Sequence, residues 1–314
     1  MECNGYNNYK YDTETKIKNN FCLLEEKVVC EANRMRCITA LLPNLFFISL
    51  FTFFVYMIYS NENKLYSGVI MLNKFTKYIK ESEKIVFFGG AGVSTESGLK
   101  DYRSPDGIYN TEKEFGVSPE EILSHSFFVK NPEIFYAFYR KYFVSDVAPN
   151  GAHKALYELE KMGKLTAIIT QNVDSLHQKA GSKNILELHG NGAKFKCNGC
   201  KMTVDNSSAL LKIKNGELPR CEKCGFLLKP DVVLYGERLC DETLDKAISY
   251  ISDADMLIIG GTSLRVFPAS SLVRYFKGKY LVIINKEETS FDNIAALCIR
   301  ENIGSFLEKT IERI

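Results

Sequence analysis

Short runs of consecutive apolar residues alternate along the chain with segments in which apolar residues recur at helical spacing. The apolar runs have the length of buried strands and lie at 85–90, 165–170, 232–235, 256–261 and 280–285. The helical patterns lie at 71–82, 153–162, 241–252, 269–276 and 303–313. Continuously apolar strands that alternate with helices are typical of a parallel sheet covered on both faces. We therefore predict an α/β fold that binds ligands at the carboxyl ends of its strands.

Two insertions interrupt this alternation. Residues 107–150 are rich in phenylalanine and tyrosine, and we expect a small helical layer in which most of these rings pack in a core. Residues 191–228 are short of large apolar side chains but carry four of the ten cysteines.

The first seventy residues differ in character from the rest of the chain. No charged residue lies between Arg36 and Glu62, and the apolar segment 38–59 is long enough to cross a bilayer. A cleaved signal peptide is a poor match because the apolar run starts far from the N-terminus. Two interpretations remain, a membrane anchor or an upstream translation of a protein that starts at Met71. We favour the second, and we expect residues 1–70 to be an atypical leader and residues 71–314 to form the functional domain.

Composition and charge exclude several classes of protein. Forty Lys and Arg residues against 38 Asp and Glu residues leave a formal net charge of +2. This balance argues against an electrostatic nucleic-acid binder and against an acidic disordered chain. Because 46% of the residues are hydrophobic, the chain is able to bury a sizeable core.

The cysteines of the second insertion have the spacing of a metal site. Cys197 and Cys200 form one C-x-x-C turn, and Cys221 and Cys224 form a second one after twenty intervening residues. Two such turns complete a tetrahedral zinc site, with a redox dithiol or two unrelated pairs as alternatives. Since four thiolates leave no open coordination position, we predict one structural zinc ion. Reduced thiolates also favour a cytoplasmic location.

A glycine-rich turn, GGAGVSTESG at 89–98, follows the first predicted strand. Such a turn lets backbone N–H groups approach a pyrophosphate. The dinucleotide fingerprint of dehydrogenases is incomplete, however, because Thr95 stands at its third glycine position. The acidic residue at the expected distance, Asp106, is not preceded by a strand. A dehydrogenase is therefore a weak interpretation.

Polar residues also follow the next strand. Gln171, Asn172 and Asp174 offer amides and a carboxylate, which are groups that bind ribose hydroxyls and a carboxamide. His189 is one of only four histidines and precedes the cysteine-containing insertion. A solitary histidine is more often structural, but its place beside three polar strand ends favours a functional role.

Taken together, the segments GAGVSTESG, DYRS, TQNVDSLHQKAG, LHGN, the paired C-x-x-C, KPDVVLYGE and GGTSL resemble the sirtuins, which are NAD-dependent protein deacylases. They follow the family order, span residues 71–314 and are most similar to the bacterial type. The resemblance implies a Rossmann-like parallel sheet with a small inserted domain of zinc ribbon and helices, and a cleft in which NAD meets acetyl-lysine. In the implied reaction the acyl oxygen attacks a ribose carbon of NAD, nicotinamide leaves, and free lysine and O-acetyl-ADP-ribose form.

The resemblance also implies roles for individual residues. His189 corresponds to the general base, and Asn172 to a catalytic polar partner. Val233 and Tyr235 fall in the strand that pairs with a peptide. The positions that correspond to NAD contacts are Ala91, Thr95, Tyr102, Arg103, Gln171, Val173, Asp174, His189, Thr262, Ser263, Asn285 and Lys286.

Two departures from the family pattern concern the cofactor loop. Lys100 replaces a proline and Tyr102 replaces a phenylalanine, so we expect an altered rate or NAD affinity rather than lost activity. A mono-ADP-ribosyltransferase on the same scaffold is the alternative function. The expected partners are proteins that contain acetylated lysine, with no specific nucleic acid, and a membrane only if segment 38–59 is a genuine anchor.

Overall fold

Six parallel strands form the central sheet of the computed structural model, which describes residues 68–102, 107–108 and 112–314. Numbered in chain order, these strands are β1 (Ile85–Gly89), β2 (Leu165–Thr170), β3 (Ile185–Glu187), β7 (Met256–Gly260), β8 (Tyr280–Ile284) and β9 (Leu297–Ile299). Their order in the sheet is β3-β2-β1-β7-β8-β9. The chain thus runs from β1 through β2 to β3 on one side and then returns to β7 on the other side of β1. Such a switch point, here between β1 and β7, is where α/β sheets bind ligands.

Helices cover both faces of this sheet. Helix α1 (68–81), α6 (Gly151–Lys161) and α10 (Ile303–Ile311) bury their apolar sides in a core on one face. The short helix α7 (Leu176–Ala180) lies next to α6. Helix α9 (Asp241–Asp253) and a 3₁₀ helix (Ala269–Tyr275) cover the other face. The predicted α/β fold with a doubly covered parallel sheet is thus confirmed.

A smaller lobe combines the two insertions. It contains the short helices α2 (Glu112–Phe115), α3 (Pro119–Ile122), α4 (His125–Lys130), α5 (Pro132–Tyr142) and α8 (Asn206–Lys214). It also contains an antiparallel sheet of β4 (Gly190–Cys197), β5 (Thr203–Asp205) and β6 (Leu228–Val232), in the order β5-β4-β6. Aromatic rings of α4 and α5 share one core with Phe195 and Leu228 of this sheet. The two insertions fold together because the second, which is short of large apolar side chains, packs against the aromatic core of the first.

One predicted strand is wrong. The apolar run 232–235 does not join the parallel sheet, since β6 ends at Val232 and pairs with β4. The following residues are an extended segment that makes a single parallel bridge, from Tyr235 to Ser124. Of these four residues only Leu234 is buried, in the core of the smaller lobe, and Tyr235 is exposed, so the apolar run indicated neither the partner strand nor the degree of burial.

Residues Val69–Ile314 form one compact unit. Within the part of the chain that the structure describes, no helix combines the length and the apolar character that a bilayer crossing requires. The apolar segment 38–59 lies outside the described residues.

Candidate active site

A cleft of about 910 Å³ lies where β1, β2, β7 and β8 end at the edge of the sheet that faces the smaller lobe. Residues that directly follow all four strands line it. Most of the site residues that the sequence predicts are in the cleft wall, namely Ala91, Thr95, Tyr102, Gln171, Asn172, Val173, His189, Thr262, Ser263, Asn285 and Lys286. Arg103 lies outside the described residues.

The glycine-rich turn packs directly against the turn that follows β7. The N–H of Gly92 donates to the carbonyl oxygen of Gly261 at 2.8 Å. Gly261 has a φ of 56°, and a Cβ atom on it would lie 2.3 Å from the nitrogen of Val93, so no other residue fits there. The Thr95 hydroxyl donates to the carbonyl oxygen of Gly92 at 3.0 Å. Thr95 therefore closes the turn at the position where a dehydrogenase has its third glycine.

Gln171 connects the ends of β2 and β7. Its side-chain amide donates to the hydroxyl oxygen of Thr262 at 3.1 Å, and its backbone N–H donates to Gly89 at 2.9 Å. These bonds fix the amide against the cleft wall, where its oxygen is able to accept from a ligand hydroxyl.

Asp174 belongs to a polar chain behind the wall. The Asn172 amide donates to the Ser94 hydroxyl at 3.1 Å, and that hydroxyl donates to the Asp174 carboxylate at 2.7 Å. The backbone N–H of Leu176 also donates to Asp174 at 2.9 Å. Asp174 is not among the residues that line the cleft, so in this structure it orients Ser94 and Asn172.

His189 lies between the sheet and the smaller lobe. Its Nδ1 is 2.9 Å from the carbonyl oxygen of Gln171. Because a carbonyl only accepts, Nδ1 carries the proton, and in the neutral ring Nε2 has the free lone pair. Burial lowers the pKa of His189, and the bond to the Gln171 carbonyl only partly offsets this effect. The following residue, Gly190, has a φ of 77° and a Cβ atom there would collide with the Asp231 carbonyl.

The opposite end of the cleft is formed by the loop after β8. Asn285 and Lys286 line this end. The Asn285 amide donates to the carbonyl oxygen of Glu287 at 2.8 Å. Arg300 donates to the carbonyl oxygens of both Asn285 and Glu287, at 2.9 and 2.8 Å. Arg300 thus holds the shape of this loop, a role that the sequence analysis missed.

The four predicted metal ligands come together at one end of the small sheet. Their sulfur atoms all lie within 4.8 Å of one another, with 3.3 Å between Cys197 and Cys224 and 3.8 Å between Cys200 and Cys221. Sulfurs bound tetrahedrally at ~2.3 Å from zinc would be roughly 3.8 Å apart. The arrangement therefore fits one four-coordinate zinc ion.

Two further features were not predicted. The carboxylate of Glu96 accepts from the N–H groups of Gly304 and Ser305, at 2.6 and 3.2 Å, and so caps α10 beside the glycine-rich turn. The rings of His153 and His177 lie 4.7 Å apart in the core behind the cleft. No short sequence pattern reveals either pair, because the partners are far apart in the chain.

Comparison with known proteins gives a consistent result. The sequence profile of the Sir2 family matches residues 90–268. An NAD-dependent protein deacetylase of Clostridium perfringens (strain 13 / Type A) is 51% identical over 243 residues, which are 77% of this chain and 98% of that protein. One from Clostridium acetobutylicum is 49% identical over 241 residues, which are 76% and 98% of the two proteins.

Solved structures agree. One described under structural basis for the mechanism and regulation of Sir2 enzymes has a TM-score of 0.71 and 40% identity, and the match covers 77% of this chain and 96% of that one. A complex of Sir2 with a p53 peptide and NAD+ has a TM-score of 0.68 and 36% identity, with 76% and 97% covered. The chain therefore belongs to the Sir2 family and is of the bacterial type.

Proposed function

We propose that this protein is an NAD-dependent protein-lysine deacetylase. The overall reaction converts acetyl-lysine, NAD and water into free lysine, nicotinamide and O-acetyl-ADP-ribose. The observation that carries the proposal is the oriented ring of His189 in the wall of a cleft that also contains the glycine-rich turn and Gln171. The relatives named above are deacetylases, and a similar Sir2 structure contains a deacetylated p53 peptide and 3'-O-acetyl ADP ribose.

NAD, when bound, supplies the ribose carbon from which nicotinamide departs. The backbone N–H groups of the glycine-rich turn would bind its phosphates, with Ala91 and Thr95 beside them. Gln171 would bind the ribose next to nicotinamide. Val173 and Asn172 would line the nicotinamide pocket, with Asp174 acting through Ser94. The residues proposed for the adenosine half are Thr262, Ser263, Asn285 and Lys286.

His189 is the proposed general base. The hydrogen bond from Nδ1 to Gln171 selects the tautomer whose Nε2 is able to take a proton from a ribose hydroxyl. Since burial holds its pKa below the usual value of about 6.5, the ring is neutral at pH 7 and competent as a base.

The zinc ion is proposed to be structural. Cys197 ends β4, and the same strand begins at Gly190 directly after His189. Zinc binding by the four cysteines therefore fixes β4, the strand that directly follows His189. No step of the reaction is assigned to the metal, because four thiolates fill its coordination sphere.

The proposed substrates are proteins with acetylated lysine, and we propose no specific nucleic acid. A cytoplasmic location is proposed because metal-bound thiolates suit a reducing compartment. A membrane tether would depend on segment 38–59.

The decisive experiment measures nicotinamide release from NAD with and without an acetyl-lysine peptide. We expect release to require the peptide and to match the O-acetyl-ADP-ribose formed. The variant His189→Ala should bind zinc normally and lose at least about 100-fold in kcat/KM. ADP-ribosylated protein without O-acetyl-ADP-ribose would instead indicate the mono-ADP-ribosyltransferase, which the relatives do not favour.

A further inference from the structure

Residues 233–237, which we call the bridging segment, run between His189 and the helical part of the smaller lobe. The N–H of Val233 donates to the backbone carbonyl of His189 at 2.8 Å. Tyr235 donates its N–H to Leu123 and accepts from the N–H of His125, both at 2.9 Å. The bridging segment is therefore bonded on one side to the catalytic histidine and on the other to the start of α4.

Glu237 ends this segment and gathers three donors. Its carboxylate accepts from the N–H of Leu234 at 2.9 Å and from Nδ1 of His125 at 2.8 Å. The ammonium of Lys229 lies 3.0 Å from the same carboxylate and also donates to the carbonyl oxygen of Val232 at 2.6 Å. One side chain thus connects β6, the bridging segment and α4.

The two side-chain partners of Glu237 differ in their exposure to solvent, and so in how strongly solvent screens each contact. The side chains of Lys229 and Glu237 are 14% and 23% exposed, whereas that of His125 is 51% exposed. The pair with Lys229 is therefore the less screened one. Burial by itself would raise the pKa of Glu237, but the bonds from Leu234, His125 and Lys229 bring that pKa below its usual value.

A carboxylate suits this position because two of its neighbours, the Leu234 N–H and the Lys229 ammonium, are able only to donate, and both are bonded to the same oxygen. A glutamine would keep one oxygen for these donors, but it would lose the negative charge that attracts Lys229. The ion pair and hydrogen bonds of Glu237 thus hold the bridging segment in place, and three residues of this segment line the cleft, namely Val233, Tyr235 and Glu237.

We propose that Glu237 is a positioning residue that fixes the bridging segment and, through the bond from Val233, fixes His189 relative to the peptide side of the cleft. This inference rests on the proposed function, because the role of His189 as a base gives the position its importance. The N–H groups of Val233 and Tyr235 already donate within the protein, so their predicted pairing with a peptide stays a prediction.

The test compares Glu237→Gln with wild type in steady-state kinetics on an acetyl-lysine peptide. We expect kcat to fall about tenfold and KM for the peptide to rise severalfold, with KM for NAD within about twofold, since small misplacements of a catalytic group are costly. Lys229→Met should give the same pattern, and Lys229→Arg should recover most of the loss. The matched control is Glu242→Gln, which removes an exposed ion pair with Lys246 on α9 and should behave as wild type.

Amide hydrogen exchange gives a readout that does not depend on activity. Faster exchange at Val233 and Tyr235 in Glu237→Gln, with unchanged exchange in β7, supports the positioning role. Wild-type kinetics in this variant, even with a lowered melting temperature, would overturn it, as would equal rises in KM for peptide and NAD. If Glu237→Gln does not fold, the two Lys229 variants decide. If wild type forms no O-acetyl-ADP-ribose, the proposed function fails. Amide hydrogen exchange at Val233 and Tyr235 then still decides whether Glu237 fixes the bridging segment.

Discussion

Acidification should destabilise this protein through two histidines that the reaction does not use. His153 and His177 are 0% and 1% exposed, and neither nitrogen of His177 has a hydrogen-bond partner among the described residues. Burial, with a smaller contribution from His153, lowers the pKa of His177 to about 3. Burial also lowers the pKa of His153, although the Asp174 carboxylate works against this.

The sign and the size of the effect follow from these shifts. The unfolded chain binds a proton at His177 below a pH of about 6.5, whereas the folded protein resists it down to about 3. Stability is therefore complete above about 6.5 and is lost as the pH falls below that value. From about 6.5 to pH 5 is roughly 1.5 units at about 1.4 kcal/mol each, so His177 alone should cost about 2 kcal/mol at pH 5.

The variant His177→Phe tests this value, since it keeps a ring beside Phe87 but has no proton to bind. The free energy of unfolding is measured by urea denaturation at pH 8 and pH 5. We expect the difference between the two pH values to be about 2 kcal/mol smaller in the variant than in wild type. Contributions from groups that do not contact His177 are common to both proteins and cancel. Phe87→Leu is the matched control, because it should destabilise equally at both pH values.

An identical pH dependence in wild type and His177→Phe would refute the reasoning. It would mean that the folded protein accepts a proton at His177 as readily as the unfolded chain does. The absolute stability of the variant does not enter the test, so any cost of fitting the larger ring is irrelevant.

Three further predictions concern the metal, the acyl group and the glycine-rich turn. Cys221→Ser should release zinc and destabilise the smaller lobe, because metal binding is part of folding there; a stable, active, zinc-free protein by metal analysis would contradict this. Acetyl peptides should exceed succinyl peptides in kcat/KM by about 100-fold, because sirtuins that prefer succinyl-lysine carry a Tyr-x-x-Arg pair whose cation meets the acyl carboxylate, whereas here Tyr139 stands three residues after Tyr136 and Arg140 comes one position late; equal values would overturn this. Glu96→Gln should cost about 1 kcal/mol in thermal unfolding and raise KM for NAD, because its carboxylate caps α10; a wild-type melting temperature would contradict this.

Local patterns in the sequence determined the elements and the metal site. Each C-x-x-C turn brings its own two sulfurs together, and a spacing of twenty residues is typical of two such turns that share one zinc ion, as the cluster of four sulfurs is arranged to do. The runs at 85–90 and 256–261 become strands of one parallel sheet because short, continuously apolar strands are typical of a sheet that is covered on both faces. The polar residues after them therefore had to meet at one edge.

Only the tertiary structure decided how distant segments meet. The run 232–235 has the pattern of a strand of the parallel sheet. In the structure its first residue pairs with β4 instead, and the following residues are hydrogen-bonded to His189 and to the start of α4. Asp174 proved to lie behind the cleft, and Glu237 proved to gather donors from three segments. The apolar pattern of a segment indicates how readily it is buried. Which distant segment it contacts depends on how the whole chain packs.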